Sequence, residues 1–198
     1  MNRIDRYNKL ASNPKNKASA VINALEIKKG DNILEIGVGG GFYAKIFSEK
    51  IGISGRYYGL DTDEHSIQNL NMIKPPNKNI LGIKIYPNEL PELNVKIDLI
   101  FTRNVYHHLE KRTAYFRRVI DLLSPNGRIV VIDYDESLSL MKVFKHFTAK
   151  NIIIKEFKRA NCFLIKEHCF LNKQSFLIFE KNSEYDFVFL SNQNQKAT

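Results

Sequence analysis

The chain has no tryptophan, only two cysteines and no long apolar run. Cys162 and Cys169 are too few for a disulfide framework or a four-cysteine zinc site. No stretch approaches the roughly 18 apolar residues of a membrane-spanning helix, and the opening MNRIDRYNKL lacks the apolar centre of a signal peptide. Acidic residues are short as well, 21 against 30 basic ones, for a formal net charge of +9. A secreted disulfide-rich protein, a membrane protein and a zinc finger are set aside on these grounds. A soluble, cytoplasmic domain is expected.

What is present suits one α/β domain. A length of 198 residues matches a single domain, and 43% hydrophobic residues suffice for a buried core. The positive charge would attract RNA, DNA or anionic lipid through phosphates or headgroups. Most lysines, however, are scattered singly along faces that read as solvated. The first 17 residues hold Arg3, Arg6, Lys9, Lys15 and Lys17 against Asp5, a local cluster rather than a polybasic tail.

Short β-like runs alternate with helix-period segments, the pattern of a parallel sheet flanked by helices. Ser12-Asn13-Pro14 reads as a helix start, with Val21, Ile22 and Leu25 on its apolar face. Strands are expected at 32–36, at 56–60 ending on Asp61, at 80–86, 97–102 and 128–134. Helices are expected after Gly41, after Thr62 as cap and up to Pro75-Pro76, and from Glu110 to Leu123, followed by a Ser124-Pro125-Asn126-Gly127 turn. A helix from Ala149 to Ala160, capped by Thr148, leads to Asn161, a residue that tolerates the left-handed conformation. Cys162–Leu171 and Ser175–Lys181, joined by three residues, must pair antiparallel, because parallel strands need a long crossover. Both cysteines read as ordinary strand residues. The whole is a doubly wound, seven-stranded, mostly parallel α/β sheet. Residues 1–16 form an N-terminal arm, 17–181 the domain, and 182–198 a tail in which Phe187–Leu190 could add an edge strand or an oligomer contact.

The sharpest feature is Glu35-Ile36-Gly37-Val38-Gly39-Gly40-Gly41 between a strand and a helix. Glycines allow close backbone approach and positive φ, and the helix N-terminus behind them offers unpaired amides. Asp61 ends the next strand, where a carboxylate can accept both hydrogen bonds of a ribose diol. A nicotinamide fingerprint would need glycine at Phe42, which makes a dehydrogenase a distant reading. The Lys and Ser/Thr of an ATP-binding P-loop are also missing. An acidic residue two before three alternating glycines suits a ligand with a ribose and an amino-acid part.

These segments resemble the class I S-adenosylmethionine-dependent methyltransferases over about residues 15–181. ILEIGVGGGFYA is similar to their first motif and YYGLDTDEHSI to their second. IDLIFTRNVYHHL and LLSPNGRIVVIDYD resemble the fourth strand and the approach to the fifth, and FLNKQSFLIFEK the ending of a small subgroup without large insertions. The resemblance implies a Rossmann-like strand order 3-2-1-4-5-7-6 with strand 7 antiparallel. It implies that Gly37, Gly39 and Gly41 wrap the methionine part of S-adenosylmethionine, braced by Glu35, that Asp61 holds the ribose, and that Asn104 lies beside the sulfonium. Many relatives carry an acidic residue for the adenine amine after the third strand. Tyr86-Pro87-Asn88-Glu89 stands there instead, with Asn88 or Glu89 as substitutes.

Methyl transfer from a sulfonium mainly needs the nucleophile held in line and, for an acidic nucleophile, a proton acceptor. His107 and His108 follow the fourth strand, where an imidazole could act as base. The pair lacks a third metal ligand, so no metal is expected. Asn-Pro-Pro-Tyr/Phe and Pro-Cys motifs of base- and glutamine-modifying enzymes are absent, and no substrate domain interrupts the chain. The access route is expected between the arm and Ser137–Phe147. A small-molecule acceptor is the leading expectation, with RNA or protein as alternatives. A catalytically idle, cofactor-binding interaction partner is the reading from another class.

Overall fold

The computed structural model describes residues 1–73, 78–135 and 147–182. Helix α1 (Arg3–Ala11) and a single 3-10 turn (Pro14–Asn16) precede α2 (Ala18–Ala24). There follow β1 (Asn32–Ile36), α3 (Phe42–Ile51), β2 (Arg56–Asp61), α4 (Glu64–Met72), β3 (Ile80–Lys84) and β4 (Ile97–Arg103). A 3-10 turn (Tyr106–His108), α5 (Arg112–Val119), β5 (Leu123–Tyr134), α6 (Lys150–Arg159), β6 (Cys162–Glu167) and β7 (Gln174–Lys181) complete it. The seven strands lie in the order β3-β2-β1-β4-β5-β7-β6. β7 runs antiparallel to both β5 and β6, and the other neighbours are parallel.

The sheet is covered on both faces, which is why its central strands read as near-continuous apolar runs. Leu34, Leu60, Ile100 and Val131 pack toward Phe116 and Phe157 of α5 and α6. On the other face Ile33, Tyr57, Phe101 and Ile132 meet Val21, Phe47 and Leu70 of α2, α3 and α4. The register aligns Ile36 with Leu60 and with Thr102, so β1, β2 and β4 end level and present their following loops together.

Several local expectations are corrected. The segment Ser12–Pro14 does not start the helix. Asn13 caps only the 3-10 turn, and Lys17 in the left-handed region (φ 46°) breaks the chain before α2. The arm instead forms α1, whose cap Asn2 accepts from the Asp5 amide. Asp63, not Thr62, caps α4, accepting from His65 N and Ser66 Oγ. A carboxylate suits a helix N-terminus better than a hydroxyl. β3 stops at Lys84 because its partner β2 ends opposite, at Asp61.

The long helix expected to Leu123 ends at Val119, and after one 3-10 turn Leu123 already pairs with Ile97. Ser124–Gly127 is then a bulge within β5, since the next pair is Leu99 with Arg128. Asp135 rather than Thr148 serves the start of α6, accepting from Lys150 N at 2.6 Å. Asn161 does take the left-handed conformation. β6 ends at Glu167 rather than Leu171, so the connection to β7 runs from 168 to 173. Cys169 is therefore an exposed loop residue, and only Cys162 is a buried strand residue. Pro75-Pro76, Ser137–His146 and Phe187–Leu190 lie outside the described residues. No helix among the described residues is long and apolar enough to cross a membrane.

Candidate functional site

The level strand ends open onto a cavity of about 780 Å³. Its wall includes Glu35, Gly37, Gly39 and Gly40 after β1, Asp61 on β2, Asn88 beyond β3, Asn104 beyond β4, and both His107 and His108. α1 and the turn after it contribute Tyr7, Asn8, Leu10, Ala11 and Asn16. Phe42, at the position where a dinucleotide fingerprint needs glycine, lines the same cavity.

The alternating glycines answer two different demands. Gly37, Gly39 and Gly41 all have positive φ, which L side chains rarely adopt. Gly40 does not; a Cβ there would run into the Asn8 side chain and come within 2.8 Å of the Ile4 carbonyl. α1 therefore packs directly on the loop, and Arg3 ties it to Asp63 with a 2.6 Å ion pair. Asp61 fixes the loop from beneath: Oδ2 accepts from Gly39 N at 2.9 Å and Oδ1 from Asp63 N at 3.0 Å. Gly41, the third glycine, closes the loop by donating to the Val38 carbonyl.

Glu35 is nearly inaccessible, and its Oε2 accepts from the Tyr57 hydroxyl at 2.5 Å. Burial pushes its carboxyl pKa up to about 8, although the Tyr57 hydrogen bond opposes the shift. The group is thus mostly neutral at pH 7, a carboxylic acid in the floor of the cavity rather than a fixed negative charge. Two buried polar atoms in the wall have no protein partner, Asn88 Oδ1 and the Tyr115 hydroxyl, and Asn8 Oδ1 is a third. Buried polar atoms are ordinarily satisfied, so orphans that line a cavity mark where a polar ligand completes the pairing.

Beyond β4 the backbone turns sharply at Asn104 (φ 56°), whose Oδ1 accepts from Gln174 Nε2 at 2.7 Å. In the next turn His107 binds Asp133 twice, through its backbone N at 2.9 Å and its ring Nδ1 at 2.7 Å. Asp133 is fully buried and its carboxylate can only accept, so Nδ1 carries the proton and Nε2 is the basic nitrogen. The His108 ring packs against that of His107 with centroids 4.0 Å apart. Arg103, at the end of β4, donates to the Tyr43 hydroxyl, to Asn16 O at 3.0 Å and to Gln174 Oε1 at 3.1 Å.

Residues 6–177 match the methyltransferase-domain family. The chain belongs to this family. It is 32% identical over 114 residues to a protein of Saccharolobus solfataricus named a probable cobalt-precorrin-6B C(15)-methyltransferase (decarboxylating), covering 56% of each chain. It is 32% identical over 89 residues to the fibrillarin-like rRNA/tRNA 2'-O-methyltransferase of Pyrococcus furiosus, covering 42% of this chain and 39% of that one. The chain thus spans about half or less of the length of these relatives. Among solved structures, an S-adenosylmethionine-dependent methyltransferase of Aquifex aeolicus has the same fold, with a TM-score of 0.74 at 19% identity over 90% of this chain and 98% of that one.

As a class I methyltransferase-family domain, the chain brings Glu35, Gly37, Gly39, Asp61, Asn104, His107 and His108 to the cavity wall, and Gly41 shapes the loop from its end. Of the two substitutes for an adenine-side acid, Asn88 lines the cavity, whereas Glu89 turns back to accept from Tyr86 N. Sequence reasoning missed Tyr57, Asp133 and Arg103. A charged residue inside the apolar run Ile129-Val130-Val131-Ile132-Asp133 was the available signal for Asp133, because unpaired charges are rarely buried. Nothing local distinguishes Arg103 from a surface arginine at a strand end.

Proposed function

We propose that this protein transfers a methyl group from S-adenosylmethionine to a small-molecule acceptor. The observation that carries the reading is the glycine loop bound by its amide to Asp61 inside a cavity lined by orphaned polar atoms. These groups fit the cofactor. Gly37 to Gly41 and neutral Glu35 would border its amino-acid part, Asp61 retains lone pairs for the ribose diol, and Asn88 Oδ1 can accept from the adenine amine. When bound, the cofactor supplies a sulfonium methyl that a nucleophile takes in one in-line displacement.

The chain's own residues then hold and deprotonate the acceptor. Asn104, fixed by Gln174, borders the reacting end. His107, oriented by Asp133, accepts a proton at Nε2 where the nucleophile must lose one, and His108 packs beside it. The participation of α1 in the wall supports a small acceptor, because a cavity roofed by a helix suits a molecule that enters whole. RNA is the second reading, supported by the +9 charge and by the rRNA/tRNA methyltransferase relative.

Calorimetric titration of S-adenosylmethionine, S-adenosylhomocysteine and NADH into wild type and Asp61→Ala tests the cofactor. Binding of the first two and not the third supports the reading; binding of NADH alone overturns it. Labelled methyl transfer into small-molecule, RNA and protein fractions then separates the acceptors. Salt-sensitive RNA binding with label in RNA would favour the second reading.

A further inference from the structure

We infer that Arg103 receives a carboxylate of the methyl acceptor, which makes small carboxylic acids with an apolar or aromatic body the substrate class of this site. The inference rests on the methyl-transfer reading above. Arg103 is the sole arginine or lysine side chain among the described residues of the cavity wall. A guanidinium has five N–H donors. Three are committed to a phenol, a backbone carbonyl and a side-chain amide, all neutral, and two have no protein acceptor among the described residues. No carboxylate pairs with it there either, unlike Arg3, Lys84, Arg112, Lys150 and Lys166. A half-buried cation held in place by neutral partners is a preformed receptor for an anion, since charge burial is costly until it is paired.

Apart from the exposed Glu110, the acidic groups in the wall are already engaged or neutral. Asp61 serves two amides, Asp63 pairs with Arg3, and buried Glu35 is mostly neutral at pH 7. The position of Arg103 points to the acceptor rather than to the cofactor. The groups for the amino-acid part, ribose and adenine lie after β1, on β2 and beyond β3, one half of the strand order, and only Asn104, at the reacting end where cofactor and acceptor meet, lies beyond β4. Arg103 is instead coupled to Gln174 at the start of β7, which pairs with Tyr134 on β5. Leu10, Tyr43 and Tyr134 supply apolar surface in the same wall for the body of the acid.

Calorimetry provides the test, first with S-adenosylhomocysteine alone on wild type, Arg103→Gln and Arg103→Lys. The protein saturated with S-adenosylhomocysteine is then titrated with benzoate, phenylacetate and neutral benzamide. We expect the acids to bind wild type at least about tenfold tighter than the amide, the preference to vanish in Arg103→Gln and to survive in part in Arg103→Lys. Affinity for S-adenosylhomocysteine should stay within about twofold, since Gln174 keeps its own bond to Asn104. If Arg103→Gln weakens S-adenosylhomocysteine but not 5'-methylthioadenosine, which lacks the amino-acid part, the cation serves the cofactor and the inference falls. Equal binding of acid and amide to wild type, or no binding of either acid, overturns it without reference to any variant. Failure of wild type to bind S-adenosylhomocysteine overturns the underlying methyl-transfer reading, and it registers before any acid is added.

Discussion

The Tyr57 hydroxyl of β2 donates to Glu35 Oε2 of β1 at 2.5 Å, across two adjacent strands and inside the core. The pair shares the sheet face on which α3 packs, so the acid beside the glycine loop is shielded from water by the same aromatic layer that holds the loop's helix. This burial keeps Glu35 protonated up to about pH 8, against 4.5 for an ordinary glutamate. For an acid raised in the folded state, the unfolded chain loses its proton first. Stability from this group is therefore full below 4.5, falls as pH rises, and is lost above about 8. Urea unfolding from about pH 5 to 9 should show that decline in wild type and its removal in Glu35→Gln, which mimics the neutral acid.

Asp61 has a double task, and its removal should show both. Asp61→Ala frees the amides of Gly39 and Asp63 while deleting the proposed acceptor for the ribose. Hydrogen bonds to a charged group contribute roughly 1.5–3 kcal/mol, so affinity for S-adenosylhomocysteine should fall about tenfold to a hundredfold. Calorimetry at constant ionic strength checks this, and a variant that binds as wild type would remove Asp61 from the site.

Gly40→Ala isolates the contact with α1, because its backbone is not in the left-handed region that constrains its neighbours. The added methyl meets Asn8 and the Ile4 carbonyl, and overpacking of this kind costs about 1–3 kcal/mol. None of the residues of α1 is fully buried, so the helix should yield before the domain does. Limited proteolysis should cut within residues 3–11 faster in the variant, with the unfolding midpoint of the domain little changed.

The Asp133 carboxylate accepts from His107 N, His107 Nδ1 and Tyr134 N with no access to water. Asp133→Ala leaves several buried donors unpaired and should destabilise the protein by about 3 kcal/mol or more in urea unfolding. Asp133→Asn keeps the volume but turns an N–H toward the ring or the amide, and should cost less stability while shifting the pH profile of methyl transfer.

The sheet was legible in the sequence because each central strand is an apolar run bounded by turn residues. The hairpin order followed from a connection too short for a parallel crossover. The glycine loop and Asp61 were legible for the same reason, since glycine spacing and a carboxylate at a strand end are local signals. Boundaries failed where a partner elsewhere in the chain decides them. β3 stops where β2 stops, Leu123 joins β5 because Ile97 is there to pair, and Asp135 supplies the first-turn acceptor of α6 from 15 positions earlier in the chain.

The sequence by itself determined a doubly wound sheet with a glycine-rich turn and an acidic strand end, because those features depend on residue type and spacing along the chain. Only the tertiary structure decided that Glu35 is a neutral acid, that α1 lies on Gly40, that Asp133 orients His107, and that Arg103 faces the cavity with no carboxylate partner among the described residues. Each of these depends on the burial of one group and the identity of its neighbours through space, and the fold brings together residues as distant in the chain as Arg103 and Asn16, 87 positions apart.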